Sequence, residues 1–180
     1  MALVISPVQA AGIMLPILIV MDWVGVWTYR KHWDRRLLIL LLPGAILGIA
    51  AGGLLAGYVD DRIVRICVGV IAVLFPIYAI FKPRGGDAFI KNNRPLGFIS
   101  GTVAGFTSFI AHAGGPPFQA YAIPQNLEKQ IYAGTAVMFF FVVNFVKVLP
   151  YALLGQFDQT NLTTSLILIP IAPFGVLFGA

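Results

Sequence analysis

Residues 107–121 read TSFIAHAGGPPFQAY, and this stretch decides how the chain folds. It lies within an apolar run long enough to enter a bilayer, yet it holds one of the two histidines, the pair Gly114-Gly115 and the pair Pro116-Pro117. An uninterrupted helix cannot pass through it. The prolines remove two backbone donors and crowd the preceding turn, and the glycines release the backbone just before them. Irregular backbone at membrane depth survives only where protein or a watered cavity surrounds it, so the break marks a candidate site, of the kind found in a transporter's broken helix.

Outward from the break, the rest of the chain reads as membrane helices. Hydrophobic residues make up 59% of it, charged residues 11%, and its mean hydropathy is +0.89, which excludes a soluble domain of this length. The net charge of +5 is no nucleic-acid footprint, because the bases sit in short loops between apolar runs and so report topology. The single cysteine, Cys67, excludes an internal disulfide and reads as a small core residue. No cleavable signal pattern precedes the first apolar run.

That first run covers residues 10–27. Trp23, Trp27 and the cluster Arg30, Lys31, His32, Arg35 and Arg36 close it at a cytoplasmic interface. A second span is expected over 37–58, where Gly44, Gly48 and Gly52 recur every fourth residue and offer one face to a closely packed helix. A third is expected over 63–81, followed by a basic loop over 82–94. The chain re-enters the membrane from residue 96, breaks at 112–117, and continues through a short apolar arm (118–123) and a polar loop (124–130). Further spans are expected over 131–154 and 162–180. The last lacks a polar flank, so the chain reads as ending in mid-helix.

Comparing the chain with itself reveals a repeat. At an offset of 122, Ala11, Gly12, Val20, Val24, Val26 and Tyr29 match Ala133, Gly134, Val142, Val146, Val148 and Tyr151, with Asp22 falling on Asn144. At an offset of 127, Leu41, Pro43, Ala45, Gly48 and Gly52 match Leu168, Pro170, Ala172, Gly175 and Gly179. The loop after the first helix of one copy is basic, whereas its counterpart carries Asp158 alone, so the copies are expected in opposite orientation. This is the inverted-repeat plan of many secondary transporters. The division expected is 1–94 for a partial first repeat and 95–180 for the second. Opposite orientation requires 96–123 to be a re-entrant hairpin; the other reading makes 96–113 a full span, which its 18 residues would just allow.

The run GFTSFIAHAGGPPFQAYAIPQNLEKQIYAGTAVMFFFVVNFVKVLPYALLGQF, residues 105–157, resembles the TauE/SafE family of bacterial membrane permeases. Asp22, Tyr29-Arg30 and Leu42-Pro43-Gly44 are similar to that family's first half. The resemblance implies an all-α, polytopic helical bundle in the bacterial inner membrane that exports sulfite, sulfoacetate or related small anions. It implies no enzymatic activity and no cofactor. The family has two halves, each opening with a Gly-rich broken helix. Only the second such helix is present here, so the chain reads as shortened at both ends.

Each candidate residue carries two readings. Freed amides at Gly114, Gly115 and Phe118, at the N-terminus of the second half-helix, would present partial positive charge to an anion, or the break is a structural kink. His112 is a proton-coupled switch or oxyanion donor, or a buried ring bonded to a freed carbonyl. Thr107, Ser108 and Gln119 offer neutral donors on both arms, although hydroxyls in membrane helices often bond their own backbone. Asn144 and Lys147 share a helical face; Lys147 supplies positive charge to an anion, or snorkels to the nearby interface. Asp22 is a proton carrier or, the reading preferred here, an interfacial carboxylate beside Trp23. No metal-ligand cluster, nucleotide loop or nucleophile–base pair occurs in the sequence. The expected partners are a small anion and the bilayer, with a homo-oligomer left open and nucleic acid excluded. The rival to transport is a structural or assembly subunit; an intramembrane enzyme is a distant third.

Overall fold

The computed structural model describes residues 7–56 and 90–171, with isolated positions between them. The expected third span with Cys67, most of the loop after it, and the closing residues 172–180 lie outside the described residues. Regular structure among the described residues is helical throughout. In chain order it comprises α1 (Pro7–Tyr29), α2 (Arg35–Leu55), α3 (Arg94–Ala111), α4 (Gly115–Ala122), α5 (Lys129–Leu153) and α6 (Gln159–Leu168), with 3-10 turns at Ile123–Gln125 and Ile169–Ile171. Three of these helices are long and apolar enough to cross a membrane: Gln9–Tyr29 within α1, then α2 and α5. This is the all-α membrane bundle that the hydropathy implies.

The helix starts follow from local chemistry. Asp34 caps α2 by accepting from the Leu37 amide at 2.9 Å, Asn93 caps α3 through Leu96 at 3.2 Å, and Asp158 caps α6 through Asn161 at 2.7 Å. The tightest seam joins α2 and α3, which run parallel. Gly44 lies against Phe98 and Thr102, Gly48 against Thr102 and Phe106, and Gly52 against Phe109, while Gly101 and Gly105 receive the backbone of Leu41 and Ala45. Both helices therefore bring glycines at four-residue spacing to the seam, and a methyl at Gly48 would overlap the Thr102 carbonyl.

α3 and α4 form a hairpin. Ser100 Oγ donates to the Pro117 carbonyl at 2.6 Å, Tyr121 packs against Gly97, and the Asn92 amide donates to Gln125 Oε1 at 3.2 Å. The chain thus returns at Gln125 to the end of the bundle from which it entered at Asn92. Of the two topologies left open by the sequence, the geometry is the re-entrant one.

α1 and α5 run antiparallel. Gly12, near the start of α1, packs on Gln156 beyond the end of α5; Gly134, near the start of α5, packs on His32 beyond the end of α1. Between them Asn144 Nδ2 donates to Asp22 Oδ2 at 2.7 Å. Gly12 and Gly134, like Asp22 and Asn144, are pairs separated by the 122-residue offset, so positions matched by that offset pack reciprocally. The second helices repeat the pattern. α2 lies parallel to α5, with the Asp34 amide on Thr135 Oγ1 at 2.8 Å, and α6 lies parallel to α1, with Ser165 Oγ on the Ile13 carbonyl at 2.7 Å.

These contacts gather Arg30, Lys31, Arg35, Arg36, Lys91, Arg94 and Lys129 at one end of the bundle, while the loop bearing Asp158 lies at the other. The sides of the bundle are apolar: Ile39, Leu47, Leu54, Phe145, Leu149 and Leu153 are all exposed, as lipid-facing residues of a membrane helix are.

Candidate functional site

The site forms where α3 ends. His112 takes the left-handed conformation there (φ 53°), its amide returning to the Ser108 carbonyl at 3.0 Å and the Ala113 amide to the Thr107 carbonyl at 3.2 Å. The first of these bonds is that of an αL cap, with histidine where glycine is usual. The turn delivers the imidazole between α1 and α5. Its Nε2 lies 3.0 Å from the Ala11 carbonyl, which can only accept, so Nε2 carries the proton and Nδ1 is an acceptor.

Lys147 of α5 meets that acceptor. Its Nζ lies 2.9 Å from His112 Nδ1 and 3.1 Å from both the carbonyl and the Oγ of Ser108. An ammonium has three donors, and all three are engaged by neutral acceptors. Lys147 is fully buried, 0% exposed, so it does not snorkel. No carboxylate pairs with it among the described residues. Its charge is held at the C-terminal end of α3, where the helix dipole is negative. One turn further along α5, Tyr151 Oη donates to the Phe109 carbonyl at 2.6 Å and completes the cap.

Gly114 and Gly115 lead into α4. Gly114 is packed under Ala104, Ser108 and Phe140, leaving no room for a side chain, whereas among the described residues nothing stands within 4 Å of the position a Cβ would take at Gly115. Among the described residues neither glycine's N–H meets a protein acceptor. Two unspent amides therefore sit at the positive end of α4, and Gly114 packs on Ser108, which touches Lys147.

The remaining candidates divide. Gln119 is half-buried on α4, its side-chain amide unengaged among the described residues. Thr107 Oγ1 donates to the carbonyls of Val103 and Ala104 and is occupied by its own helix. Asn144 faces Asp22 rather than the turn, although it lies on the same face of α5 as Lys147. Phe118 departs from expectation: its amide returns to the Gly114 carbonyl at 3.2 Å, and its ring stacks on Phe139 in the core. Pro116 and Pro117 do not prevent this first helical bond, because the acceptor precedes both of them. Asp22 also departs from the interfacial reading: Trp23 is exposed, but the neighbouring carboxylate turns inward to α5. Tyr151 and Ala11 are missing from the sequence-based set. The match of Tyr29 to Tyr151 marked the tyrosine, but nothing local marks an alanine carbonyl. No cluster of His, Cys, Asp or Glu able to hold a metal occurs among the described residues.

A re-entrant hairpin is thus laid against a buried cation inside a membrane bundle. The family model described as Sulfite exporter TauE/SafE matches residues 1–180. The chain belongs to the TauE/SafE family. It is an integral membrane protein of a permease family that moves sulfur anions. No curated protein and no solved structure matches it.

Proposed function

We propose that this TauE/SafE protein carries a small sulfur oxyanion, such as sulfite, sulfoacetate or another sulfonate, across the bacterial inner membrane by alternating access around the α3–α4 break. The observation that carries this reading is the pair of unspent amides at Gly114 and Gly115, with Gly114 packed on the Ser108 that accepts from the buried Lys147. The glycine amides and Gln119 donate to the oxyanion; Lys147, its own donors already spent, contributes field rather than contact. A site of neutral donors backed by an unshared charge attracts an anion and still lets it leave. Asp22 is the nearest carboxylate along this polar chain and, through Asn144, offsets the lysine's charge while the site is empty.

The basic end faces the cytoplasm by the positive-inside rule and concentrates anions at the mouth. The reciprocal packing of α1 with α5 supports two copies of opposite orientation, 1–94 and 95–180, rocking about the Asp22–Asn144 contact. A structural rather than a transporting role has one observation in its favour, namely that Lys147 and Tyr151 satisfy the end of α3. Flux of radiolabelled sulfite and of a simple sulfonate in proteoliposomes separates the two. Saturable flux of either anion above empty vesicles supports transport, and none with inserted protein favours the structural role.

A further inference from the structure

At the basic end of the bundle, Trp27, Thr28, Arg30, Lys31 and His32 line a cleft of about 360 Å³, within the range of small-ligand sites. Topology requires only that positive charge be present there, but this turn is also fixed in shape. The His32 carbonyl is seated on Gly134, the Asp34 amide donates to Thr135 Oγ1 at 2.8 Å, and Trp33 Nε1 donates to the Arg30 carbonyl at 3.1 Å. The guanidinium of Arg30 lies 5.8 Å from the centre of the Trp27 ring.

The turn's one carboxylate, Asp34, is committed to capping α2, and no ion pair neutralises Arg30 or Lys31 among the described residues. Among the described residues, no carboxylate answers their charge. Trp23 and Trp27, 58% and 71% exposed, continue from the cleft along α1 towards the apolar belt at helical spacing. Bases, then indoles, then hydrocarbon is the order of groups met along a phospholipid from phosphate to acyl chain.

We infer that this cleft binds the phosphodiester headgroup of an anionic phospholipid, with Arg30 and Lys31 on the phosphate and the indoles of Trp27 and Trp23 along the glycerol and upper acyl chains. A soluble anion would use the bases alone.

The test is titration of the detergent-solubilised protein with phosphatidylglycerol or phosphatidylcholine, read by native mass spectrometry, where membrane orientation plays no part. Phosphatidylglycerol should bind at least tenfold more tightly than phosphatidylcholine. Arg30→Gln with Lys31→Gln should remove that preference, Trp27→Ala should weaken it, and Arg35→Gln with Arg36→Gln, outside the cleft, should leave it within about threefold. All of these residues but the inward-turned Asp34 are solvent-facing, so the fold survives the changes. Equal loss in the two double variants would reduce the effect to diffuse charge and overturn the cleft. Displacement of the lipid by millimolar inorganic phosphate would overturn the lipid in favour of a soluble anion.

Discussion

Asp22 of α1 accepts a 2.7 Å hydrogen bond from Asn144 of α5, the residue 122 positions later. In the two-copy arrangement proposed above, equivalent residues touch only near the axis relating the halves, which would then run between α1 and α5. The halves differ there: one offers a carboxylate, the other an amide with Lys147 one turn beyond. Asp22→Ala leaves the buried Asn144 amide without its acceptor and should lower stability by about 1–3 kcal/mol. Asp22→Asn keeps a bond while removing the charge; it should unfold near the wild-type midpoint yet change the pH dependence of transport. Matching thermal melts with flux at several pH values checks both. An unchanged pH profile in Asp22→Asn would make the carboxylate purely structural.

Lys147→Met removes the charge behind the candidate site and orphans His112 Nδ1. Anion affinity should fall at least tenfold, about 1.4 kcal/mol or more, alongside a stability loss of about 1–3 kcal/mol. Tyr151→Phe is the companion experiment, because it takes only a capping bond from the Phe109 carbonyl. It should lower the melting temperature and leave anion affinity within about twofold. Equal effects of the two variants on binding would assign Lys147 to the cap alone.

His112→Gln can still donate to the Ala11 carbonyl and accept from Lys147, but it cannot titrate between pH 5 and 8. Since both ring nitrogens are engaged, the histidine can take a second proton only by releasing Lys147. Flux measured across that range should lose pH dependence in the variant if this release is a transport step. A profile superimposable on wild type would confine the ring to positioning the turn.

Two glycines of contrasting surroundings separate scaffold from site. A methyl at Gly48 meets the Thr102 backbone, so Gly48→Ala must push α2 and α3 apart, at a cost of about 1–3 kcal/mol. A methyl at Gly115 meets nothing within 4 Å among the described residues, so Gly115→Ala should stay within about 0.5 kcal/mol of wild type. Detergent-phase unfolding of the two variants checks the contrast.

Much of this architecture is legible in the residues themselves. Proline and glycine chemistry at 114–117 marks the break, and the Gly44, Gly48, Gly52 spacing marks a close helix seam. The partner of that seam also carries a signal, Gly97, Gly101 and Gly105, which the reading of 96–113 leaves unused because spacing says that a helix will be approached and not by what. Asp22 beside Trp23 reads as interfacial in one dimension. On a helix, consecutive residues point about 100° apart, so the indole can face lipid while the carboxylate faces α5. Lys147 lay within two turns of its helix end, and sequence alone could not reveal that the bare carbonyl end of α3 would reach it first.

The central claim is that an anion occupies the open space at Gly115. Sulfite flux through Gly115→Leu in proteoliposomes, with insertion and melting temperature measured on the same sample, tests it most directly. A leucine side chain placed where the protein leaves room should abolish saturable flux while insertion and melting stay at wild-type values. Wild-type flux through a correctly inserted Gly115→Leu protein would contradict it and remove the α3–α4 break from the anion's path.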